Sequence, residues 1–129
     1  MCGIAGFTHV NCDIERATIE HIVHSLHHRG PDQGSVYVSP SISLGVVRLK
    51  IVDLNEGDQP FLSADHSAVL AFNGEIYNYR ELRSELESRG RRFRSHCDTE
   101  VVLQAFLEWD STCFYKAARN VRTCHLVGA

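Results

Sequence analysis

The apolar and polar positions at the start of the chain indicate a strand followed by a helix. The opening residues 2–7, CGIAGF, are apolar and punctuated by glycine, which predicts a buried strand that another backbone approaches closely. The helix is predicted from one stripe of apolar residues, with Asp13 as its cap and the turn signal Gly30-Pro31-Asp32 as its end. The stripe consists of Ile19, Ile22, Val23 and Leu26.

The middle of the chain is predicted to consist mainly of strands. Residues 35–39 and 42–49 are typical of strands, and a loop rich in Asp, Asn, Glu and Gly follows at 53–60. A further apolar strand runs from Ala68 to Phe72. It is predicted to end at Asn73-Gly74, because this pair often marks a tight turn.

Two more helices are predicted in the second half of the chain. One begins near Asn78, which together with Glu81 resembles a capping box, and it ends at Gly90. The other begins at Asp98 and is predicted to bury one face. The buried stripes are Leu82 and Leu86 in the first helix, and Val102, Ala105, Phe106 and Trp109 in the second. Strands and helices therefore alternate as in an α+β or α/β protein.

Composition narrows the class of protein. With 129 residues, of which 43% are hydrophobic and 22% charged, the chain has the size and composition of one globular domain. The net charge of -3 comes from interspersed charges, so we expect binding neither to nucleic acid nor to a membrane. The sequence contains no spanning segment and no signal peptide, and five cysteines without a CxxC pair indicate free thiols. We expect a cytoplasmic protein.

Cys2 is the first candidate for chemistry. Methionine aminopeptidases generally remove the initiator methionine when the next side chain is small, which would give Cys2 a free α-amine. An α-amine has a pKa of about 7.7–8.0, so near pH 7 part of it is neutral and can accept the thiol proton, directly or through a water. Most second-position cysteines are incidental. The motifs elsewhere in the chain therefore decide whether Cys2 is a nucleophile.

Five ordered motifs are the most specific feature of the chain. They are CGIAGF at the start, HRGPDQG at 28–34, VRLKIVDL at 47–54, FNGEIYNYRELR at 72–83 and CDTE at 97–100. Together they resemble the class II glutamine amidotransferase domain of the asparagine synthetase family. The resemblance implies an α+β protein with the four-layer αββα fold of N-terminal-nucleophile hydrolases, incomplete at the C-terminus. It also implies hydrolysis of L-glutamine, with the ammonia used for asparagine synthesis from aspartate in a full-length relative.

The resemblance assigns catalytic roles to three residues. Cys2 matches the nucleophile that forms a glutamyl thioester and releases ammonia. Asn73 and Gly74 match the pair that lines the oxyanion hole, through a side-chain amide and a backbone N–H. Such donors suit this chemistry because negative charge gathers on the amide oxygen as the thiolate adds. The loss of one donor typically lowers the rate by about 10²–10³-fold.

Three further residues match positions that bind glutamine. Arg48 matches the arginine that holds the α-carboxylate, a task for which a guanidinium offers two parallel donors. Asp98 matches the carboxylate that holds the α-ammonium, and one of its oxygens is available to cap the following helix. Glu75 matches a binding-loop residue whose backbone contributes more than its side chain. Val47 departs from the family, since many relatives have His or Glu there.

A small Cys/His metal module is the weaker interpretation of the eight histidines. His24 and His28 would share one face of a continuous helix, as a zinc pair needs, but no nearby cysteine or carboxylate pattern completes a ligand set. We therefore predict no metal ligand and no cofactor in this chain. The resemblance assigns ATP and magnesium to a synthetase domain beyond it. The oligomeric state stays open.

Residues 113–129 match nothing that the family leads us to expect. The family continues with a segment like LRGMFAFAIWD, whereas this chain reads STCFYKAARNVRTCHLVGA from Ser111 onward. One permitted choice of codons for Phe114–Ala129, read one base forward, encodes RLRGMFALAIW. We therefore predict a partial domain at 2–112 and an aberrant, frameshifted tail at 113–129. The alternative to a glutaminase is a catalytically inactive truncated gene product, and a glutaminase assay separates the two.

Overall fold

Strands and helices alternate along the chain. The computed structural model describes residues 2–9, 16–49 and 57–117, and the backbone of residues 119–128. The strands are β1 (Gly3–Thr8), β2 (Gln33–Val38), β3 (Ile42–Arg48), β4 (Phe61–Leu62), β5 (Ala68–Ile76) and β6 (Arg119–Gly128). The α-helices are α1 (Arg16–Ser25), α2 (Tyr79–Ser88), α3 (Asp98–Trp109) and α4 (Cys113–Lys116).

The strands form two three-stranded sheets. Sheet A has the order β1-β3-β2, and sheet B has the order β4-β5-β6. In sheet A, Gly3 pairs with Val47 and Gln33 pairs with Arg48, so the end of β3 lies between the beginnings of β1 and β2. All neighbouring strands in both sheets are antiparallel. This pairing makes the architecture α+β, because an α/β protein is built on parallel strands.

Helix α1 packs on sheet A. The centre of the predicted stripe, Ile19 and Val23, is buried, and the helix contacts all three strands of the sheet. The other two stripe residues are half-buried. The helix ends at Ser25, and a 3₁₀ turn at His27–Arg29 leads to Gly30. The predicted helix is therefore confirmed, whereas its predicted cap, Asp13, lies outside the described residues.

Two apolar clusters stabilise the fold, one on each face of sheet B. Side chains of β5 alternate between the two faces, so this strand contributes to both clusters. The cluster between the sheets contains Ile42, Leu44, Val46, Val69 and Ala71. The cluster between β5 and the helices contains Leu70, Phe72, Leu82, Leu86, Val101, Val102 and Leu103, among others. The predicted stripe of α2, Leu82 and Leu86, is thereby confirmed.

Two strand predictions are wrong in detail. Strand β1 is mostly half-buried or exposed, because it lies at the edge of sheet A and pairs only with β3 among the described strands. Strand β5 does not turn at Asn73-Gly74 but continues to Ile76. Its register against β6 shifts between Asn73 and Gly74. The pair therefore marks a β-bulge or similar irregularity, a feature that can re-aim a side chain.

Two helix predictions also need correction. Asn78 occupies the N-cap position of α2 but makes no side-chain capping hydrogen bond, and its Nδ2 donates instead to the Lys116 carbonyl oxygen at 3.0 Å. Helix α3 was predicted to bury one face, yet residues 99–105 are all buried, since α3 contacts α2 as well as β5. The predicted end of α2 is confirmed by Gly90, whose φ of +92° favours glycine.

The residues after Thr112 form α4 and β6. Strand β6 pairs with β5 from Ala68 opposite Gly128 to Ile76 opposite Arg119. A backbone ladder of this kind does not depend on side-chain identity. The pairing therefore leaves the predicted frameshift at 113–129 untested, and it stays a prediction.

Candidate active site

Cys2 and Asn73 meet where β1 approaches the middle of β5. The Nδ2 of Asn73 donates to the backbone carbonyl oxygen of Cys2 at 3.2 Å. Both residues are half-buried, and Cys2 is a free thiol. The hydrogen bond joins the segment leading into sheet A to the central strand of sheet B. A half-buried thiol on a fixed backbone is accessible to a small substrate.

Strand register brings Arg48 near the start of β1. Gly3 pairs with Val47, and Cys2 and Arg48 are the adjacent residues in the two segments. On the other side of β3, Gln33 pairs with Arg48. Arg48 is 9% exposed. A guanidinium this deeply buried needs hydrogen-bond acceptors, because an unpaired buried charge is costly.

Gly57 provides one such acceptor, and Asp58 provides a nearby negative charge. Arg48 Nη1 donates to the Gly57 carbonyl oxygen and lies 3.9 Å from Asp58 Oδ1. Gly57 has a φ of +74°, and a Cβ there would lie 3.2 Å from the Cβ of Cys97, so both its backbone and its surroundings favour glycine. The Asp58 side chain is 71% exposed, so its pairing with Arg48 is weak and leaves the guanidinium able to bind another carboxylate.

The motif at 28–34 lies against the backbone of Arg48. A Cβ on Gly30 would lie 2.5 Å from the carbonyl carbon of Arg48, so only glycine allows this approach. The Asp32 N–H donates to the Arg48 carbonyl oxygen at 3.1 Å, and Pro31 forms a bridge with the same residue. The sequence predicted only a turn here. The structure shows that this turn also fixes the end of β3.

Gln59 connects the two sheets next to the candidate site. It is 5% exposed, and its Oε1 accepts a hydrogen bond from the Phe72 N–H at 2.7 Å. Its carbonyl oxygen accepts a hydrogen bond from Gln33 Nε2 at 3.4 Å. Phe72 directly precedes Asn73, and Gln33 pairs with Arg48. Sequence reasoning missed Gln59 because it assigned the residue only to a polar loop.

Asp98 lies beside the end of β5. Its Oδ2 accepts a hydrogen bond from the Ile76 N–H at 3.3 Å, and it is the first residue of α3. The N-cap position is occupied by Cys97, so the expectation that Asp98 caps the helix from that position is wrong. The carboxylate nevertheless lies at the N-terminus of α3, where negative charge is favourable.

Cys97 is the other cysteine near the predicted site. Its Sγ lies 3.0 Å from Ser95 Oγ, and burial raises the pKa of the Cys97 thiol. A thiol with a raised pKa forms less thiolate and is a poorer nucleophile. Of the two cysteines, Cys2 is therefore the better candidate for nucleophilic chemistry.

The remaining predicted residues, Gly74 and Glu75, follow Asn73 on β5. Gly74 is half-buried at the register shift, and Glu75 is exposed. The structure thus joins Cys2 to Asn73 by a hydrogen bond and places Arg48 directly after Val47, the partner of Gly3. It connects Asp98 to the same strand at Ile76. The roles of these residues in catalysis and binding stay predictions.

The described part of the chain contains neither a cluster of metal ligands nor a helix suited to cross a membrane. No group of three or more His, Cys, Asp or Glu side chains there is placed to hold a metal ion. His24 lies in α1 and His28 in the following 3₁₀ turn, so the two do not share one continuous α-helix. Among the same residues, no helix has both the length and the apolar character that a membrane crossing requires.

Comparison with known proteins identifies relatives of this chain. The glutamine amidotransferase domain model matches residues 1–119. The glutamine-hydrolysing asparagine synthetase 3 of Bacillus subtilis is 35% identical over 117 residues, covering 88% of this chain and 19% of that protein. Asparagine synthetase B of Escherichia coli is 38% identical over 111 residues, covering 84% of this chain and 20% of that protein. A probable asparagine synthetase of Dictyostelium discoideum is 43% identical over 82 residues, covering 63% of this chain and 15% of that protein.

The chain matches only part of each relative. The chain spans about a fifth of the length of the Bacillus subtilis and Escherichia coli relatives. The match of the domain model, by contrast, includes the six residues predicted to form the site and continues into the tail as far as residue 119. On that match, the chain belongs to the glutamine amidotransferase domain family.

Proposed function

We propose that this chain hydrolyses the side-chain amide of L-glutamine, with Cys2 as the nucleophile and ammonia as the product. The observation that carries the proposal is the hydrogen bond of 3.2 Å from Asn73 Nδ2 to the Cys2 carbonyl oxygen. It holds a side-chain amide donor next to Cys2, which is half-buried, whereas Cys97 and Cys113 are buried. A nucleophile beside a fixed donor is the arrangement that acyl transfer requires.

The packing of helices and sheets supports a finer assignment of the fold. Helix α1 contacts sheet A, an apolar cluster joins sheets A and B, and α2 and α3 pack on the other face of β5. We assign this succession to the four-layer αββα fold of N-terminal-nucleophile hydrolases. In that fold the first residue of the mature chain is the nucleophile, so removal of Met1 is part of the proposal.

We propose that two charged residues, Arg48 and Asp98, bind the substrate. Arg48 binds the α-carboxylate of glutamine, since its guanidinium is buried and only weakly paired with Asp58. Asp98 binds the α-ammonium from the beginning of α3. Glu75 contributes through its backbone. These contacts orient the amide of the substrate toward Cys2, and orientation alone is worth several kcal/mol in bringing a nucleophile to its target.

The proposed reaction proceeds through a thioester. The α-amine of Cys2 accepts the thiol proton, the sulfur adds to the amide carbon, and the oxygen becomes negatively charged. Asn73 Nδ2 and the Gly74 N–H stabilise that charge. The C–N bond then breaks, the proton passes from the α-ammonium to the leaving nitrogen, and ammonia departs. Water adds to the thioester, the C–S bond breaks, and glutamate and the Cys2 thiol are regenerated.

The use of the ammonia is proposed only for a longer protein. The relatives are named as glutamine-hydrolysing asparagine synthetases, and the match to this chain covers 15–20% of their lengths. In such a protein the ammonia would be used to convert aspartate to asparagine. ATP and magnesium would act in a part of the relatives that this chain does not match.

A labelling experiment tests the proposal directly. The chain is expressed, removal of Met1 is checked by mass spectrometry, and ammonia release from glutamine is measured alongside labelling by a glutamine-like electrophile. Cys2→Ala should abolish both signals. Cys113→Ala, which removes a buried thiol outside the candidate site, is the matched control and should retain both. Ammonia release or labelling that survives in Cys2→Ala would rule out Cys2 as the nucleophile.

A further inference from the structure

Glu100 is a buried carboxylate to which the proposed reaction gives no role. It lies in the first turn of α3 and is fully buried. Its oxygens accept hydrogen bonds from the Arg94 N–H at 2.9 and 3.1 Å, from the Ser95 N–H at 2.7 Å and from Ser95 Oγ at 2.6 Å. All of these donors belong to two consecutive residues that precede the helix.

The carboxylate of Glu100 is buried, so its contacts must offset the cost of removing a charge from water. Removal of a carboxylate from water is costly, and well-packed apolar residues often stabilise a protein as well as a buried charge does. Two backbone N–H groups, one hydroxyl and the Arg94 guanidinium, whose Nε lies 3.8 Å from Glu100 Oε1, offset the cost here. Together these contacts fix the backbone of Arg94 and Ser95. The Arg94 side chain is fixed as well, since its Nη2 donates to the Leu62 carbonyl oxygen at 2.6 Å. The contacts of Glu100 therefore determine the path of one short segment.

That segment leads directly to Asp98. Ser95 Oγ, which donates to Glu100, also lies 3.0 Å from Cys97 Sγ. Asp98 follows, and its Oδ2 accepts a hydrogen bond from the Ile76 N–H at 3.3 Å. Residues 94–98 are thus attached at one end to Glu100 and at the other to β5. The position of the Asp98 carboxylate depends on both attachments.

We propose that Glu100 is a positioning residue for substrate recognition, which acts by fixing residues 94–98 so that Asp98 faces the α-ammonium of the substrate. The inference rests on the proposed glutamine site. Its consequence is selectivity: Glu100 favours α-amino acid amides over amides that lack the α-ammonium. Glu100 itself does not touch the substrate.

Equilibrium binding to the full chain carrying Cys2→Ala tests this role without turnover. Two ligands are compared by calorimetry, L-glutamine and glutaramate, which has the same amide and carboxylate but no α-ammonium. Glu100→Gln should weaken L-glutamine binding about 10-fold, or about 1.4 kcal/mol, and should change glutaramate binding less than twofold. Ser95→Ala, which removes one donor to Glu100, should shift the same ratio by a smaller factor. It also gives a milder second variant should Glu100→Gln not fold.

The matched control is Glu108→Gln on the same helix. Glu108 pairs with Arg91 at 3.0 Å on a part-exposed surface, so its replacement should leave the ratio of the two affinities unchanged. If Glu100→Gln lowered the affinity for both ligands equally, or changed neither affinity, the positioning role would be overturned. Failure of the Cys2→Ala chain to bind L-glutamine would instead overturn the glutamine site itself, and the inference with it.

Discussion

Sheets A and B contribute to the candidate site in different ways. In sheet A, the turn of residues 30–32 and the strands beside β3 fix Arg48, and all of these elements precede residue 49. In sheet B, Asn73 and Gly74 lie on β5 at the point where its register against β6 shifts. One side of the site is therefore determined by nearby sequence. The other depends on pairing with the end of the chain.

This difference separates two functions of the site. The proposed binding of the substrate carboxylate rests on Arg48 and hence on sheet A, whereas the proposed stabilisation of the oxyanion rests on Asn73 and hence on sheet B. Strand β6 lies within the segment predicted to be frameshifted, so the comparison predicts that the chemical step is the more vulnerable of the two. The following experiments test that separation.

The largest expected effect comes from replacing the segment that contains β6. A chain in which residues 113–129 are exchanged for the frame-restored segment beginning RLRGMFALAIW should be more stable by several kcal/mol. Each large apolar side chain that gains a buried position contributes about 2–5 kcal/mol, against a total stability of about 5–15 kcal/mol. Thermal melts followed by circular dichroism and an ammonia-release assay measure the effect. A cooperative melt and ordinary turnover from the chain as it stands would show that 113–129 is a genuine ending of the domain.

The second effect concerns the chemical step. In the frame-restored chain, Asn73→Ala should lower kcat by about 10²–10³-fold and leave KM little changed, because the donor acts mainly when charge develops in the transition state. Steady-state ammonia release at several glutamine concentrations separates the two constants. Glu81→Gln, at an exposed position in α2 outside the candidate site, is the control and should retain most of kcat. Normal turnover in Asn73→Ala would exclude it from the oxyanion hole.

The third effect concerns binding through sheet A. Arg48→Lys keeps the positive charge but loses the paired donors of the guanidinium. A hydrogen bond between charged groups contributes about 1.5–3 kcal/mol, so KM for glutamine should rise roughly 10- to 100-fold while kcat falls much less. Steady-state ammonia release at several glutamine concentrations measures both constants. If Arg48→Lys lowered kcat and left KM unchanged, the assignment of substrate binding to sheet A and of the chemical step to sheet B would be wrong.

The sequence predicted the parts of the molecule that depend on local pattern. The strands predicted at 35–39 and 42–49 correspond to β2 and β3, and the apolar stripes of α1 and α2 pack as expected. The motif residues Cys2, Arg48 and Asn73 were predicted to share a site. The structure joins Asn73 to Cys2 by a hydrogen bond, and the shared site stays a prediction. Short-range spacing and family motifs are sufficient for these features.

The features that the sequence did not predict depend on distant partners. Asn-Gly has a strong local preference for turns, but pairing with β6 keeps Asn73 and Gly74 within a strand. Gln59 and Gly57 looked like ordinary loop residues, because their partners, Phe72 and Arg48, belong to other strands. Long-range hydrogen bonds of this kind leave no periodic signal in the sequence.

The smallest expected effect tests the link between the two sheets. Gln59→Leu removes the acceptor of the Phe72 N–H, and an unsatisfied buried donor costs about 1–3 kcal/mol. The free energy of unfolding should fall by that amount in a denaturant titration. Gln59→Glu keeps an acceptor oxygen at the same position but buries a carboxyl group, so its stability should approach that of the unchanged chain only at low pH, where the carboxyl is neutral.

The link also makes a prediction about activity. Gln59→Leu removes the bond from the Phe72 N–H but keeps the bond from Gln33, because the Gln59 backbone carbonyl oxygen accepts it, so this variant should lower kcat more than it raises KM. Gln33→Ala removes the other half of the link, a hydrogen bond of 3.4 Å, and should raise KM more than it lowers kcat. A Gln59→Leu chain that lost stability but kept both constants would show that the two sheets hold their parts of the site independently.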